Sequence, residues 1–254
     1  MRCDDMAIDR RPDRGGFTLV ELLVAIIIIA ILAAIITPAV MRAMATARQA
    51  AIKSEIDMLH MAIMNYKNEY GSFPPAADVP LGSIAKHVKR LFPRHAYDIG
   101  TSATNPTVEA LQPDNAISSW LKGFTDDPTN PLGLLPAYGG GFTVDPSAKR
   151  KKLFDFDQAR LSTNTFRYAP REKPNSPYIY IPASQYAAVS PPNPPMSFSG
   201  LSGSYAPEKD STGAFFNADT FQILCAGRDE KFGTDDDLSN FWPGTRKDYL
   251  DGVK

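Results

Sequence analysis

Leu22–Ile36 contains no polar residue, and four of its members, Ile26–Ile29, are consecutive isoleucines. With Phe17–Glu21 ahead of it, the run reaches the ~20 residues that carry a helix across ~30 Å of hydrocarbon at 1.5 Å per residue. A helix apolar on every side offers no face to water, which argues against an ordinary core helix. The chain therefore divides into a lipid-compatible N-terminal segment and a remainder that must fold in water. The whole chain has 254 residues, 22% charged and 43% hydrophobic, so the part beyond the apolar run is large enough for one modest domain.

Glu21 sits close to the start of the run. A carboxylate deep in lipid costs about 2.5–3.5 kcal/mol on insertion scales, so it normally has a partner or a purpose. A cleaved secretory signal is one reading of the segment: Arg10, Arg11 and Arg14 form a basic lead-in, and "AMA" at Ala43–Ala45 resembles a cleavage site. That reading leaves Glu21 without a role, and the apolar run exceeds the ~7–15 residues of a signal core. A second reading has Glu21, only a few residues inside, reaching back to the membrane interface.

A third reading gives the glutamate work. "GGFTLVELLVAIIIIAIL", Gly15–Leu32, resembles the class III leader of type IV pilins and type II secretion pseudopilins, across Gly16–Val40. The resemblance implies that a prepilin peptidase cuts after Gly16 and methylates the new terminus, Phe17. It also makes Glu21 the assembly glutamate and Pro38 the helix-kinking proline of such anchors. Cleavage would free an amine on Phe17 with an unperturbed pKa near ~8, mostly protonated. The amine of one chain can then meet Glu21 of a neighbour, turning two isolated charges in an apolar setting into a pair that fixes axial register. Asp4, Asp5, Asp9 and Asp13 offset Arg2, Arg10, Arg11 and Arg14, but the arginines cluster nearest the apolar run, which favours a cytoplasmic leader.

The helical pattern continues past Val40. Ile52, Ile56, Leu59, Ile63 and Tyr66 recur at spacings of four and three, while Lys53, Glu55, Asp57, Lys67 and Glu69 lie off that stripe. Gly71, then Pro74 and Pro75, supply a stop. A single rod from Phe17 to about Tyr70 would be roughly 80 Å long, apolar all round in its first half and amphipathic in its second. Pro38 should bend it.

Beyond Gly71 the spacing of Leu81, Ile84, Val88, Leu91 and Phe92 predicts a short helix with Lys86, Lys89 and Arg90 outside. A second is expected over 116–124, with Ile117, Trp120 and Leu121 inward, broken by "DDPTNPLG". Asp127, Pro128, Asn130 and Pro131 there resemble a loop of major pseudopilins. "NTFRYAP", "SPYIYIPA" and "DTFQILCAG" read as strands, separated by the Pro/Ser/Gly-rich stretch "SPPNPPMSFSGLSGSYAPEKDSTG", expected to have little order. The expected fold is α+β: a long N-terminal helix packed on a small antiparallel sheet of three or four strands, pilin-like, with long loop insertions. The expected divisions are a leader (1–16), a membrane and filament-core helix (17–40), its amphipathic continuation (41–72) and a periplasmic globular domain (73–254).

"AGRDEKFGTDDDLSNFW" places Asp229, Asp235, Asp236 and Asp237 around a turn allowed by Gly233. Oxygen ligands at that density suit Ca²⁺, although the spacing is not that of an EF-hand. Its resemblance to the C-terminal calcium loop of major pseudopilins points to Asp229, Asp235 and Asp237 as ligands, with Asp236 a further candidate; a soluble acidic turn is the alternative. Two cysteines, Cys3 and Cys225, fall on opposite sides of the apolar run, so neither a disulfide nor a cysteine metal site is expected; Cys225 reads as a buried small hydrophobe.

His60, His87 and His95 show no ligand spacing, and no nucleophile elbow, Walker loop or dinucleotide fingerprint is present. "YGGGF" at Tyr138–Phe142 reads as a flexible loop rather than a phosphate cradle. With a net charge of −1, nothing calls for nucleic acid. The resemblance implies a structural protein of the inner membrane, partnered by prepilin peptidase, copies of itself, other pseudopilins, the secretion platform and membrane lipid. A type IV pilin-like subunit for adhesion, motility or DNA uptake stays open, as does a membrane-anchored periplasmic binding domain.

Overall fold

The structure, a computed structural model, describes residues 18–77, 82–95, 111–136, 142–145, 147–162, 166–189, 196–197 and 204–252. Gly16, Phe17, Leu81 and the glycines of "YGGGF" lie outside them. Two compact units are present, Met1–Arg48 and Gln49–Lys254.

Helix α1 runs unbroken over Leu19–Tyr70. Its N-terminal part, from Leu19 to Met44, exposes its large apolar side chains. Pro38 lies within it, and just before it the Thr37 hydroxyl donates to the Ala33 carbonyl at 2.6 Å. The amphipathic stripe is realised in the second unit, where Ile56, Leu59, Ile63 and Tyr66 are buried. The helix ends where expected: Gly71 adopts a φ of 80° and its N–H donates to the Lys67 carbonyl at 2.7 Å.

Helix α2 (Ser83–Leu91) buries Ile84 and Val88 and keeps Lys86, Lys89 and Arg90 exposed. Helix α3 (Ala116–Leu121) buries Ile117, Trp120 and Leu121 as expected but stops three residues early. Gly123 is the reason: its φ is 81°, and Phe124 already belongs to strand β1 (Phe124–Thr125). "DDPTNPLG" forms the expected turn, with the Asp127 carboxylate accepting from the N–H and hydroxyl of Thr129 at 2.8 and 2.7 Å.

Strands β2 (Leu134–Pro136) and β3 (Phe142–Val144) form one antiparallel pair, and β1 pairs with β4 (Arg150–Lys151). The main sheet has the order β5–β8–β9, built from Ile179–Pro182, Phe221–Cys225 and Leu238–Ser239. A short helix, α4 (Tyr186–Val189), follows β5 after a single 3₁₀ turn. Strands β5 and β8 are antiparallel, with Ile179 opposite Leu224 and Ile181 opposite Gln222. Every residue of both is buried, because the sheet is covered on both faces. Tyr180, Phe221, Ile223 and Cys225 pack with the α1 stripe, α2 and α3, whereas Ile179, Ile181 and Leu224 pack with Tyr186, Val189, Tyr205, Phe232 and Trp242.

Two of the expectations for the loops and strands need correction. "NTFRYAP" is not a strand: among its described residues Tyr168 makes only a single bridge to Leu161. Its aromatic side chain is committed elsewhere, to a polar cluster around Glu55. Residues 190–195 and 198–203 of the Pro/Ser/Gly-rich stretch lie outside the described residues, and its described part is more ordered than its composition suggests. It contributes a short ladder, β6 (Met196–Ser197) with β7 (Ser204–Tyr205), and buries Tyr205, whose hydroxyl donates to Gln222 at 2.9 Å. Glu55 lies off the apolar stripe and is nevertheless largely buried, only 13% of its side chain being exposed. The chain also closes with a helix that the periodicity did not signal, α5 (Arg246–Gly252).

Candidate functional site

Three places concentrate chemistry: the start of α1, the acidic turn after β8, and a polar cluster on the flank of α1. At the first, Glu21 has a local partner. Its carboxylate accepts from the Thr18 N–H at 2.9 Å and the Thr18 hydroxyl at 2.8 Å, while the Thr18 hydroxyl accepts from the Glu21 N–H at 3.2 Å. This is a capping box that satisfies two of the helix's free N–H groups. The T-x-x-E spacing that signals it is legible in the sequence. The cap also places the Glu21 carboxylate at the positive end of the helix.

In the acidic turn the four aspartates are not equivalent. Asp229 and Asp235 are exposed, Asp236 is half-buried and Asp237 is fully buried. The Thr234 hydroxyl lies 3.3, 2.8 and 3.4 Å from oxygens of Asp229, Asp236 and Asp237, so those three carboxylates converge on one point. Asp235 joins through its backbone, its carbonyl accepting from the Lys247 N–H at 2.8 Å. The second Asp236 oxygen accepts from the N–H groups of Arg228 and Asp229. Gly227 makes this closeness possible, because a Cβ there would sit 2.0 Å from the Asp236 carbonyl oxygen.

Asp237 accepts from the Gly233 N–H at 2.7 Å. Burial is the main influence on its carboxyl; the Gly233 N–H opposes it and the charge of Asp236 adds to it, and together they push the pKa up to about 7. Among the described residues no three His, Cys, Asp or Glu side chains are arranged to hold a metal ion between them. A cation here would use Asp236 and Asp237 with backbone carbonyls, and would relieve the burial of Asp237.

The third place was not legible. The Glu55 carboxylate accepts from Arg160 Nη1 and Nη2 at 2.7 and 2.6 Å, from the Tyr168 hydroxyl at 2.8 Å and from the Tyr178 hydroxyl. Arg160 also donates to the Ala169 carbonyl and lies 4.5 Å over the Tyr168 ring. Every group in the cluster has a partner, so it fixes position rather than performs chemistry.

The histidines are scattered. His60 Nδ1 is 3.0 Å from the Asn240 amide, His87 Nε2 is 2.9 Å from the Tyr66 hydroxyl, and His95 Nδ1 is 3.0 Å from the Phe92 carbonyl. Cys225 is buried, as expected of a small hydrophobe, and burial raises its thiol pKa well out of the reactive range.

Helix α1 is long and apolar enough to cross a membrane. Residues 11–37 match the family model of the prokaryotic N-terminal methylation motif. No curated protein and no solved structure matches the chain. The N-terminal segment is thus a class III prepilin leader running into an apolar anchor helix, on an α+β chain consistent with the type IV pilin and pseudopilin family; it points to a structural subunit cut by a prepilin peptidase and assembled into pilin-type filaments.

Proposed function

We propose that the chain is a structural subunit of a type II secretion pseudopilus. Prepilin peptidase removes residues 1–16 and methylates Phe17. The 17–40 segment holds the subunit in the inner membrane and, after assembly, forms the filament core. The globular part lies in the periplasm, where polymerisation with copies of itself and with other pseudopilins, on the inner-membrane secretion platform, drives exported proteins outward. One observation carries this reading: the leader motif continues into a single helix, Leu19–Tyr70, whose first part exposes apolar side chains and whose last turns cover an antiparallel sheet.

The acidic turn favours a pseudopilin over a pilin. Pilin-type subunits of the alternative class usually close this region with a disulfide, and here Cys225 is free and buried within β8. Calcium, held by Asp236 and Asp237 with backbone carbonyls, takes that closing role. What supports it is the buried carboxylate of Asp237, which has no Lys, Arg or His ion-pair partner among the described residues.

Mass spectrometry of the mature protein tests the reading at its root. The chain should begin at N-methylated Phe17. A terminus near Thr46 would identify a cleaved secretory signal and overturn it. Deletion should then stop protein export without removing surface pili; loss of pili with export intact would transfer the chain to the pilin class.

A further inference from the structure

A cavity of about 680 Å³ opens between the end of α1, the turn after it, α2 and the segment following β5. That volume lies in the ~300–1,000 Å³ range of small-ligand sites. Three cations line it, Lys67, Lys86 and Arg90, with one carboxylate, Asp219, and the hydroxyls of Ser72 and Thr220.

Neutral groups hold two of these cations. Arg90 donates through Nη2 to Ser72 Oγ and to His87 Nδ1, the latter at 3.0 Å. A guanidinium can only donate, so His87 Nδ1 accepts, and its Nε2–H is left to donate to the Tyr66 hydroxyl. Burial keeps that imidazole uncharged, its pKa pushed down to about 4, so the groups that aim Arg90 are neutral. Lys67 is steadied 4.5 Å from the centroid of the Phe73 ring. Lys86 is exposed on α2, and among the described residues none of the three cations forms an ion pair. Ser72, accepting from Arg90, keeps its own hydrogen to donate.

Charge selects the ligand. Three cations less the Asp219 carboxylate leave a lining charge of +2. A single carboxylate would leave half of that uncompensated, whereas a phosphate monoester carries about −1.5 to −2 at pH 7 and offers three acceptor oxygens to the donors present. We propose that this cavity is a binding site for a phosphate group, borne by a small soluble molecule or by a lipid headgroup. The proposal does not rest on the filament reading, and a chain whose mature terminus lay elsewhere than Phe17 would still carry the site.

The test is calorimetric titration of the full chain in a neutral detergent with glycerol phosphate, a soluble monoester, and with phosphatidic acid in mixed micelles of the same detergent, the same monoester on a lipid. Saturable binding of at least one is expected, and the tighter of the two identifies the source as soluble or lipid. Lys86→Gln, at an exposed residue with no ion-pair partner among the described residues, should weaken binding by about tenfold, the loss expected of one charge-assisted contact. Lys89→Gln, on α2 but outside the cavity, should change nothing. Absence of saturable binding, or equal binding by Lys86→Gln and the wild type, overturns the site. Binding of a hexaglutamate peptide without either phosphate compound overturns the ligand class in favour of an acidic protein segment.

Discussion

Glu55 on α1 and Arg160, 105 residues further along the chain, form a two-pronged ion pair with N–O distances of 2.7 and 2.6 Å, and both side chains are at least four-fifths buried. The pair ties the helix to the loop after β4 and gives Tyr168 and Tyr178 their hydroxyl partners. Glu55→Ala strands a buried guanidinium and should cost about 3–5 kcal/mol of unfolding free energy, whereas the double change Glu55→Leu with Arg160→Met removes both charges and should recover part of it, the Tyr168 and Tyr178 hydroxyls still lacking their acceptor. Chemical denaturation of the three proteins measures this. Burial alone would raise the Glu55 pKa; Arg160 and the two hydroxyls overcome it and hold the group below 4.5. The cluster's stabilisation is therefore complete at neutral pH and is lost as pH falls through that lowered value. Glu55→Gln should lack this part of the acid slope.

His87 titrates to the same effect from the other kind of group. Its folded-state pKa of about 4 lies below the ordinary 6.5 because burial disfavours the charged ring, with Arg90 adding to the effect. Between those values the unfolded chain takes up a proton that the folded chain refuses, so stability falls as pH drops from about 6.5 to 4, by up to about 3 kcal/mol. His87→Phe should flatten melting temperature against pH over that window.

Gly123 and Gly71 both sit at φ near 80° but differ in surroundings. A Cβ on Gly123 would lie 1.8 Å from the Lys151 carbonyl oxygen across the β1–β4 pair, whereas one on Gly71 meets nothing within 4 Å. Gly71→Ala should cost only the backbone term, about 1–2 kcal/mol. Gly123→Ala adds a backbone clash and should cost clearly more, with loss of the β1–β4 pairing. Parallel denaturation curves give the comparison.

The contrast between these features and the sequence is instructive. Helix α1 was readable because a stripe at helical spacing and a glycine stop are local signals, and β5 and β8 because β-branched and aromatic residues cluster within a few positions. Glu55 was not readable. Nothing near it announces Arg160, and a charge on the edge of a stripe looks the same whether it meets water or a distant guanidinium. Tyr168 misled for the same reason: its β-forming neighbourhood says nothing of a hydroxyl committed to α1. In the acidic turn the count of carboxylates was legible but not their burial, so Asp236 rather than Asp235 shares the Thr234 hydroxyl with Asp229 and Asp237. The T-x-x-E and T-x-x-D patterns at Thr18 and Thr245 were available, and the second caps α5, the Thr245 N–H donating to Asp248 at 2.8 Å.

Asp237 sets the opposite pH dependence from Glu55 and His87. With its folded pKa near 7 against an ordinary 3.8, the folded chain holds a proton that the unfolded chain has released. Its burial thus costs stability as pH rises from about 4 to 7, by up to about 4 kcal/mol at the top of that range. Calcium at the proposed site needs the ionised form, so it should raise the melting temperature at pH 7.5 and lose its effect near pH 5, where protons compete. Asp237→Asn should abolish the calcium response while stabilising the calcium-free protein at pH 7.5. A melt indifferent to both calcium and EGTA at pH 7.5 would remove the metal from the proposal.

The two roles open to Glu21 separate by substitution. As a cap, it completes the box with Thr18, where a glutamine at the same position serves as well, since its amide oxygen accepts the same N–H. As an assembly charge, it must be negative, since only a carboxylate neutralises the ammonium of an incoming Phe17. Glu21→Gln should therefore leave α1 capped and the leader cut at Gly16, yet fail to enter filaments, as scored by shearing and sedimentation. Thr18→Val should do the reverse: it loses the cap, at about 1 kcal/mol of helix-end stability, but keeps the charge and should still assemble, with reduced yield. If Glu21→Gln polymerises like the wild type while Glu21→Ala does not, the carboxylate works only within its own helix, and pairing between chains is not what places it there.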